Sequence, residues 1–189
     1  MASSMRIGIL LGSIRDQQRA TEPVAKFIHE LATQREGQAT YELVDLKTFD
    51  VPLLTTHIRP AAANGTYDDP NVQRWSDRIK NFDGYVFVTP EYNHGVPGGF
   101  KNAFDTLAVE WIGKPVAFAA HGSASGVRAI EQWRQIVVNF SMLVVRPELQ
   151  FNAFVHWDSD EFLPEERHAA EAHLMLEELE NLISLTKRD

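Results

Sequence analysis

Residues 84–107 restrict the fold more narrowly than any other stretch. Gly84-Tyr85-Val86-Phe87-Val88-Thr89 is apolar and β-branched enough for a strand buried on both faces, and Pro90, which has no N–H to give a ladder, ends it. Phe100, Ala103, Phe104 and Leu107 then recur at helical spacing along one face, with Pro97 suited to the first turn. Between strand and helix lies Pro90-Glu91-Tyr92-Asn93-His94-Gly95, polar and aromatic. It falls at the carboxyl end of a buried strand, where open α/β sheets bind ligands.

The same grammar repeats along the chain. Arg6–Leu11 reads as a strand running into Gly12-Ser13, and Val24, Phe27, Ile28 and Leu31 mark an amphipathic helix with Thr21 as its N-cap and Pro23 in its first turn. Gly37 is a C-cap candidate, and Tyr41–Leu46 is the next strand. Residues 47–70 form the least regular stretch, with Pro52, Pro60, Pro70 and Asn64-Gly65, and loops of that length are usually functional or mobile. A helix face follows at Val72, Trp75, Ile79 and Phe82. After the 84–107 unit, Pro115–Ala120 is a strand that opens into His121-Gly122-Ser123-Ala124-Ser125-Gly126, and Val127, Ile130, Trp133 and Val137 mark a helix. Met142–Val145 is the fifth strand, continued beyond Pro147 by an edge segment through Phe154. The last helix starts near Pro164, with Glu165 and Glu166 at its positive end, and closes at Lys187-Arg188. Five strands alternating with five helices predict one doubly wound α/β sheet, a single domain over residues 1–189.

Composition removes whole classes of function. The net charge of −8 disfavours nucleic acid and anionic membranes as partners. The absence of cysteine excludes disulfides, thiolate nucleophiles, iron–sulfur clusters and thiolate zinc sites, so redox chemistry here requires a bound cofactor. Neither a signal peptide nor a run near the roughly 18–20 apolar residues of a membrane span is visible, which makes the cytoplasm the expected location. His168 and His173 stand five apart on a helix, too far round for an i, i+4 metal pair; they are expected at the surface, and no metal site is expected.

The loop after the first strand, Gly12-Ser13-Ile14-Arg15-Asp16-Gln17-Gln18-Arg19-Ala20-Thr21, leads into a helix N-terminus, whose free N–H groups attract a phosphate. Ser13 and Thr21 add hydroxyls, and Arg15 and Arg19 add positive charge to an acidic protein. Neither G-x-G-x-x-G nor G-K-[ST] occurs, so a single phosphate fits better than a dinucleotide or triphosphate. After the fourth strand, Gly122-Ser123-Ala124-Ser125-Gly126 resembles a nucleophile elbow only loosely, because its centre is Ala124 rather than serine; a serine hydrolase is thereby disfavoured.

Pro90-Glu91-Tyr92-Asn93, Pro97, Lys101-Asn102-Ala103 and Asp105 together resemble the signature of the NADPH-dependent FMN reductase family, the flavodoxin-like quinone, azo-dye and metal-ion reductases. The resemblance implies a flavodoxin-like strand order, 2-1-3-4-5, with helices on both faces of a parallel sheet. It implies that Ser13 and Arg15, and with them Arg19 and Thr21, hold the FMN phosphate. Pro90, Glu91, Tyr92 and Asn93 would run along the ribityl chain and the ring, and Gly122, Ser123 and Gly126, beside His121, would meet the pyrimidine edge. The third loop departs from the family pattern, carrying Ser123-Ala124-Ser125 where consecutive glycines are common. His94 and His121 stand in the site loops, where a histidine is more often a solvated or hydrogen-bonded spectator than a group that orients an acceptor or adjusts the flavin, and Trp111 serves either an interface or the core.

The resemblance further implies that NADPH or NADH reduces bound FMN and that a small-molecule electron acceptor (a quinone, azo dye, metal ion or free flavin) reoxidises it in a ping-pong cycle, in a homodimer or homotetramer. The competing reading is a non-enzymatic flavodoxin-type electron carrier or a redox-sensing FMN module, which steady-state oxidation of NADPH with a quinone would separate from an enzyme.

Overall fold

The computed structural model describes residues 5–37 and 39–187. Five parallel strands, β1 (Met5–Leu11), β2 (Ala39–Asp45), β3 (Gly84–Pro90), β4 (Pro115–Gly122) and β5 (Leu143–Asn152), lie in the order β2-β1-β3-β4-β5. This is the expected flavodoxin order. The register runs Leu11↔Asp45 and Leu11↔Val88 around β1, and Pro90↔His121 and Gly122↔Asn152 further across. All five strands therefore deliver their carboxyl ends to one edge of the sheet.

Strand alternation sorts the apolar side chains into two cores. Ile7, Ile9, Val86, Val88, Ala117 and Ala119 face α1 (Thr21–Thr33) and α6 (Glu166–Thr186), while Leu10, Tyr85, Phe87 and Phe118 face α3 (Pro70–Ile79), α4 (Gly98–Asp105) and α5 (Val127–Val137). The second core is aromatic: Phe87 touches Phe100, Phe104, Trp111, Phe118 and Trp133 at centroid distances of 5.0–6.1 Å. Each such fully buried ring contributes about 1.5–3 kcal/mol of transfer free energy. Trp111 is wholly buried and stacks on Phe104 at 4.9 Å, so of its two expected roles the core holds.

The irregular 47–70 stretch contains a short α2 (Pro60–Ala63), so six α-helices are described rather than five. Its path is tied down by side chains. Asn102 donates to Pro52 O and accepts from Leu54 N, and the buried Glu110 carboxylate accepts from Tyr67 Oη, Ser76 Oγ and Ala108 N. A cavity of about 400 Å³, bordered by Leu53, Ile58, Val72 and Thr106, lies under this strap.

Several local expectations change. Thr21 is the first residue of α1 and Ala20 its N-cap, because the Thr21 hydroxyl is buried against His121 rather than turned back on its own helix. Gln34, in right-handed conformation, caps the other end, so Gly37 is not used there. Pro97 precedes α4 as its N-cap, and Phe82 packs into the core from the turn after α3. β5 is one strand through Asn152, its register shifting around Pro147. His168 is buried rather than at the surface: its Nδ1 accepts from Glu165 N while the Glu165 side chain accepts from the His168 N–H, a capping box with histidine in the place of glutamate or glutamine. Arg188 lies outside the described residues.

Candidate cofactor site

The three strand-end loops converge and are bonded to one another. Gly12 N donates to Val88 O (2.9 Å), and the Ser13 and Tyr92 hydroxyls meet at 3.2 Å, joining the β1 and β3 loops. Thr21 Oγ1 lies 3.0 Å from His121 Nε2, joining the β1 loop to β4 across 100 residues of sequence. Glu91 N donates to His121 O at 2.8 Å, closing the triangle. Gly12 has to be glycine: a Cβ there would run into the ring of Phe100.

Within the β1 loop the two arginines part company. Arg15 is exposed at the rim. Arg19 has only 12% of its side chain exposed; its Nη1 and Nη2 grip Asp45 Oδ1 and Oδ2 at 2.6 and 2.7 Å, and Nη1 also donates to Ser13 O at 3.2 Å. The hydrogen bonds to Asp45 raise the Arg19 guanidinium further above its already high range, so it stays charged. Arg19 is thus a brace within the loop, neither a solvated cation nor a group with its whole fork open to a phosphate.

The β3 loop is a tight hairpin. Tyr92 and Gly95 exchange N–H···O bonds of 3.0 and 3.1 Å, and Asn93 and His94 take φ of 49° and 67°, the left-handed pair that two-residue hairpins use. This leaves Tyr92 38% exposed, with Asn93 and His94 exposed beside it. Pro90 is buried at the end of β3. Glu91 points the other way: its side chain is 4% exposed and accepts from Arg128 N and Nη1 at 3.1 and 2.8 Å, capping the start of α5.

Backbone shape holds the β4 loop. Ser125 and Gly126 have φ of 60° and 79°, and a Cβ on Gly126 would lie 2.8 Å from His121 N. Gly122 O accepts from Ser125 N and from Ala153 N, and Ser123 O accepts from Asn152 Nδ2. Gly122 is buried while Ser123 is exposed. His121 itself is 9% exposed, and burial pushes its imidazole down to about 4, so it is neutral at physiological pH.

The expected residues therefore gather at one sheet edge, with two distinctions: Glu91 and Arg19 turn to partners within the chain, and Arg15, Tyr92, Asn93 and Ser123 line the open side, with Ser13 buried beneath Tyr92. Four supporting residues went unread in the sequence: Asp45, Arg128, Gln132, whose Oε1 accepts from Val96 N at 2.6 Å, and Asn152. Only Asp45 offered a signal, as a carboxylate at the carboxyl end of a strand. Beyond the third loop, Trp157 packs 5.6 Å from His121 on a small hairpin of β6 (Trp157–Asp158) and β7 (Glu161–Phe162). Among the described residues no helix is long and apolar enough to cross a membrane.

A parallel sheet in flavodoxin order, with three bonded loops at its carboxyl edge and a helix N-terminus in the first, defines a flavodoxin-like protein with a mononucleotide-type site. The sequence profile of the NADPH-dependent FMN reductases matches residues 5–156, and the chain belongs to that family, whose members are flavoenzymes working with FMN and NAD(P)H. It is 36% identical over 130 residues to an NAD(P)H-dependent FMN reductase of Nectria sp, an alignment covering 67% of this chain and 64% of that relative's length. It is 31% identical over 156 residues to a quinone reductase of Escherichia coli (strain K12), with 78% of each chain covered. The solved structure of FerB, a flavoenzyme NAD(P)H:(acceptor) oxidoreductase from Paracoccus denitrificans, superposes with a TM-score of 0.71 at 24% identity, covering 96% of this chain and 98% of that one.

Proposed function

We propose that this chain is an NAD(P)H oxidoreductase that holds one FMN at the carboxyl edge of its sheet and passes electrons to a small oxidised acceptor such as a quinone, azo dye, metal ion or free flavin. The observation that carries the reading is the pair of long-range contacts, Ser13–Tyr92 and Thr21–His121, that gather three distant loops into one site. FMN, when bound, supplies the hydride chemistry, taking two electrons from NAD(P)H and returning them to the acceptor in a ping-pong cycle.

The residues present fit that group. Ser13, Arg15 and the N-terminus of α1 offer hydroxyl, charge and main-chain donors suited to a phosphate. Tyr92 and Asn93, exposed on a rigid turn, suit the ribityl chain and the ring edge. Main-chain groups of Gly122, Ser123 and Gly126 suit the pyrimidine side, because a small-residue loop allows close approach to a flat ring. His121 stays neutral, so its contact with Thr21 holds the loops together without adding a charge near the ring. On this reading residues 1–189 are one FMN-binding domain of the cytoplasm.

Two or four copies assemble in the same proposal. Exposed Leu53 (75%), Leu54 (40%) and Ile58 (38%) on the strap, and Ile112 (58%) and Val138 (61%) near α4 and α5, support it by leaving apolar area at the surface. Light scattering of the purified protein reads the mass directly.

The deciding experiment is an absorption spectrum of the purified protein with FMN, followed by steady-state oxidation of NADH and NADPH with a panel of acceptors. Parallel double-reciprocal plots are expected. A yellow protein that turns over neither nucleotide would be a carrier or a sensor, and a protein that refuses FMN at micromolar concentration would overturn the assignment.

A further inference from the structure

A trans peptide plane sets its C=O and the following N–H on opposite sides. Arg19 Nη1 holds Ser13 O at 3.2 Å, and this turns the N–H of Ile14 away from Arg19. Arg19 cannot do this alone, since a long side chain with one 3.2 Å contact and a 3.5 Å approach to the partly exposed Glu22 carboxylate has many rotamers to choose from. Its fork is fixed by Asp45, which takes both terminal nitrogens in a bidentate pair at 2.6 and 2.7 Å from the last position of β2. Asp45 is itself pinned, accepting from Lys47 N at 3.1 Å in the turn that follows. The rigid sheet edge thus reaches through two side chains to the orientation of one peptide in the phosphate loop.

We infer that Asp45 is a positioning residue for the FMN phosphate, acting through Arg19 on the Ser13–Ile14 peptide. Its carboxylate stands on the same side of the sheet as the proposed anion, so simple charge reasoning assigns it the opposite effect: removing it would relieve repulsion and strengthen binding. The geometry favours positioning, because the pair with Arg19 cancels the charge while the held carbonyl sets the direction of a main-chain donor. The inference rests on the FMN reading and adds to it a residue outside the three loops.

FMN and riboflavin titrations of the full-length protein separate these readings, since only FMN carries the phosphate. Wild type is measured first, and failure to bind either ligand would overturn the FMN reading and this inference with it. With wild-type binding in hand, Asp45→Asn should weaken FMN by roughly tenfold while leaving riboflavin within about twofold. Asp45→Glu, which keeps the carboxylate, should recover part of the loss. Arg19→Lys, which keeps the charge but cannot grip both carboxylate oxygens and the carbonyl, should show the same phosphate-selective loss, and it serves if Asp45→Asn does not fold. Equal or tighter FMN binding by Asp45→Asn, or an equal loss for the two ligands, would overturn the positioning role.

Discussion

The first and third site loops, which flank the loop of β3 and touch through Thr21 and His121, are built on opposite principles. Apart from Gly12, whose place is fixed by packing, residues 12–21 are held by side chains and charge, through Arg19–Asp45 and the Ser13–Tyr92 contact. Residues 121–126 are held by backbone shape, with two left-handed residues and no room for a Cβ at Gly126. A loop held by ion pairs can change residue by residue and feels salt and neighbouring charge. A loop held by dihedral angles tolerates almost nothing at its turning points but is little affected by salt. The end of the site proposed for the phosphate is therefore the adjustable one, and the end proposed for the flat ring is the fixed one.

The sharpest way to break this contrast is Gly126→Ala. The new methyl would lie 2.5 Å from Ala120 Cβ at φ 79°, costing roughly 2–4 kcal/mol in overpacking and left-handed strain. Urea unfolding should register that loss, and FMN binding should vanish with the loop's shape.

The third loop does have one sensitivity to pH, through His121. Its folded value of about 4 lies below the ordinary 6.5, so the unfolded chain binds the extra proton first. The contribution is complete above pH 6.5 and is lost as pH falls towards 4, on the order of 3 kcal/mol in all. Comparing the pH dependence of unfolding in wild type and His121→Asn checks this; the variant should flatten the slope between pH 6.5 and 4.

Between the loops, Glu91→Gln weakens the charge-assisted cap on α5 without altering side-chain shape. A loss of about 1–2 kcal/mol is expected, measured by thermal unfolding. The smallest effect belongs to Lys47→Ala. Its partner Asp16 is 93% exposed, so the melting temperature should stay within error, sharpening the distinction between the buried Arg19 clamp and its solvated neighbour.

How much of this was legible in the sequence depended on the distance over which a residue acts. Strands such as Gly84–Pro90 and helix faces such as Val127–Val137 announced themselves, since burial on both faces of a parallel sheet requires continuous apolar runs and a period near 3.6. Ser13 and Tyr92 were placed in site loops from their own neighbourhoods. Partners set by the fold were not visible: Thr21 with His121, Glu91 with Arg128 and Arg19 with Asp45 lie 100, 37 and 26 residues apart. Periodicity carries no information about such pairs, which exist only once the sheet register is formed. His168 looked like a surface residue for a related reason: its capping partner Glu165 is only three residues away, but the ring of Phe151 that covers it, 4.6 Å away, arrives with β5. The two-residue strands of the β6–β7 hairpin are simply too short to have a period.

Pro147 bears on how copies of this protein can meet. It stands midway along the outermost strand, where it has no hydrogen to offer a neighbour, and Arg134 already donates to the adjoining carbonyls of Val145 and Arg146. A second sheet cannot be added along that border without displacing the arginine and skipping a rung. Strand pairing between copies is blocked at the β5 border, and the protein is thereby guarded against growing into a continuous ribbon of strands, which would need both edges of the sheet.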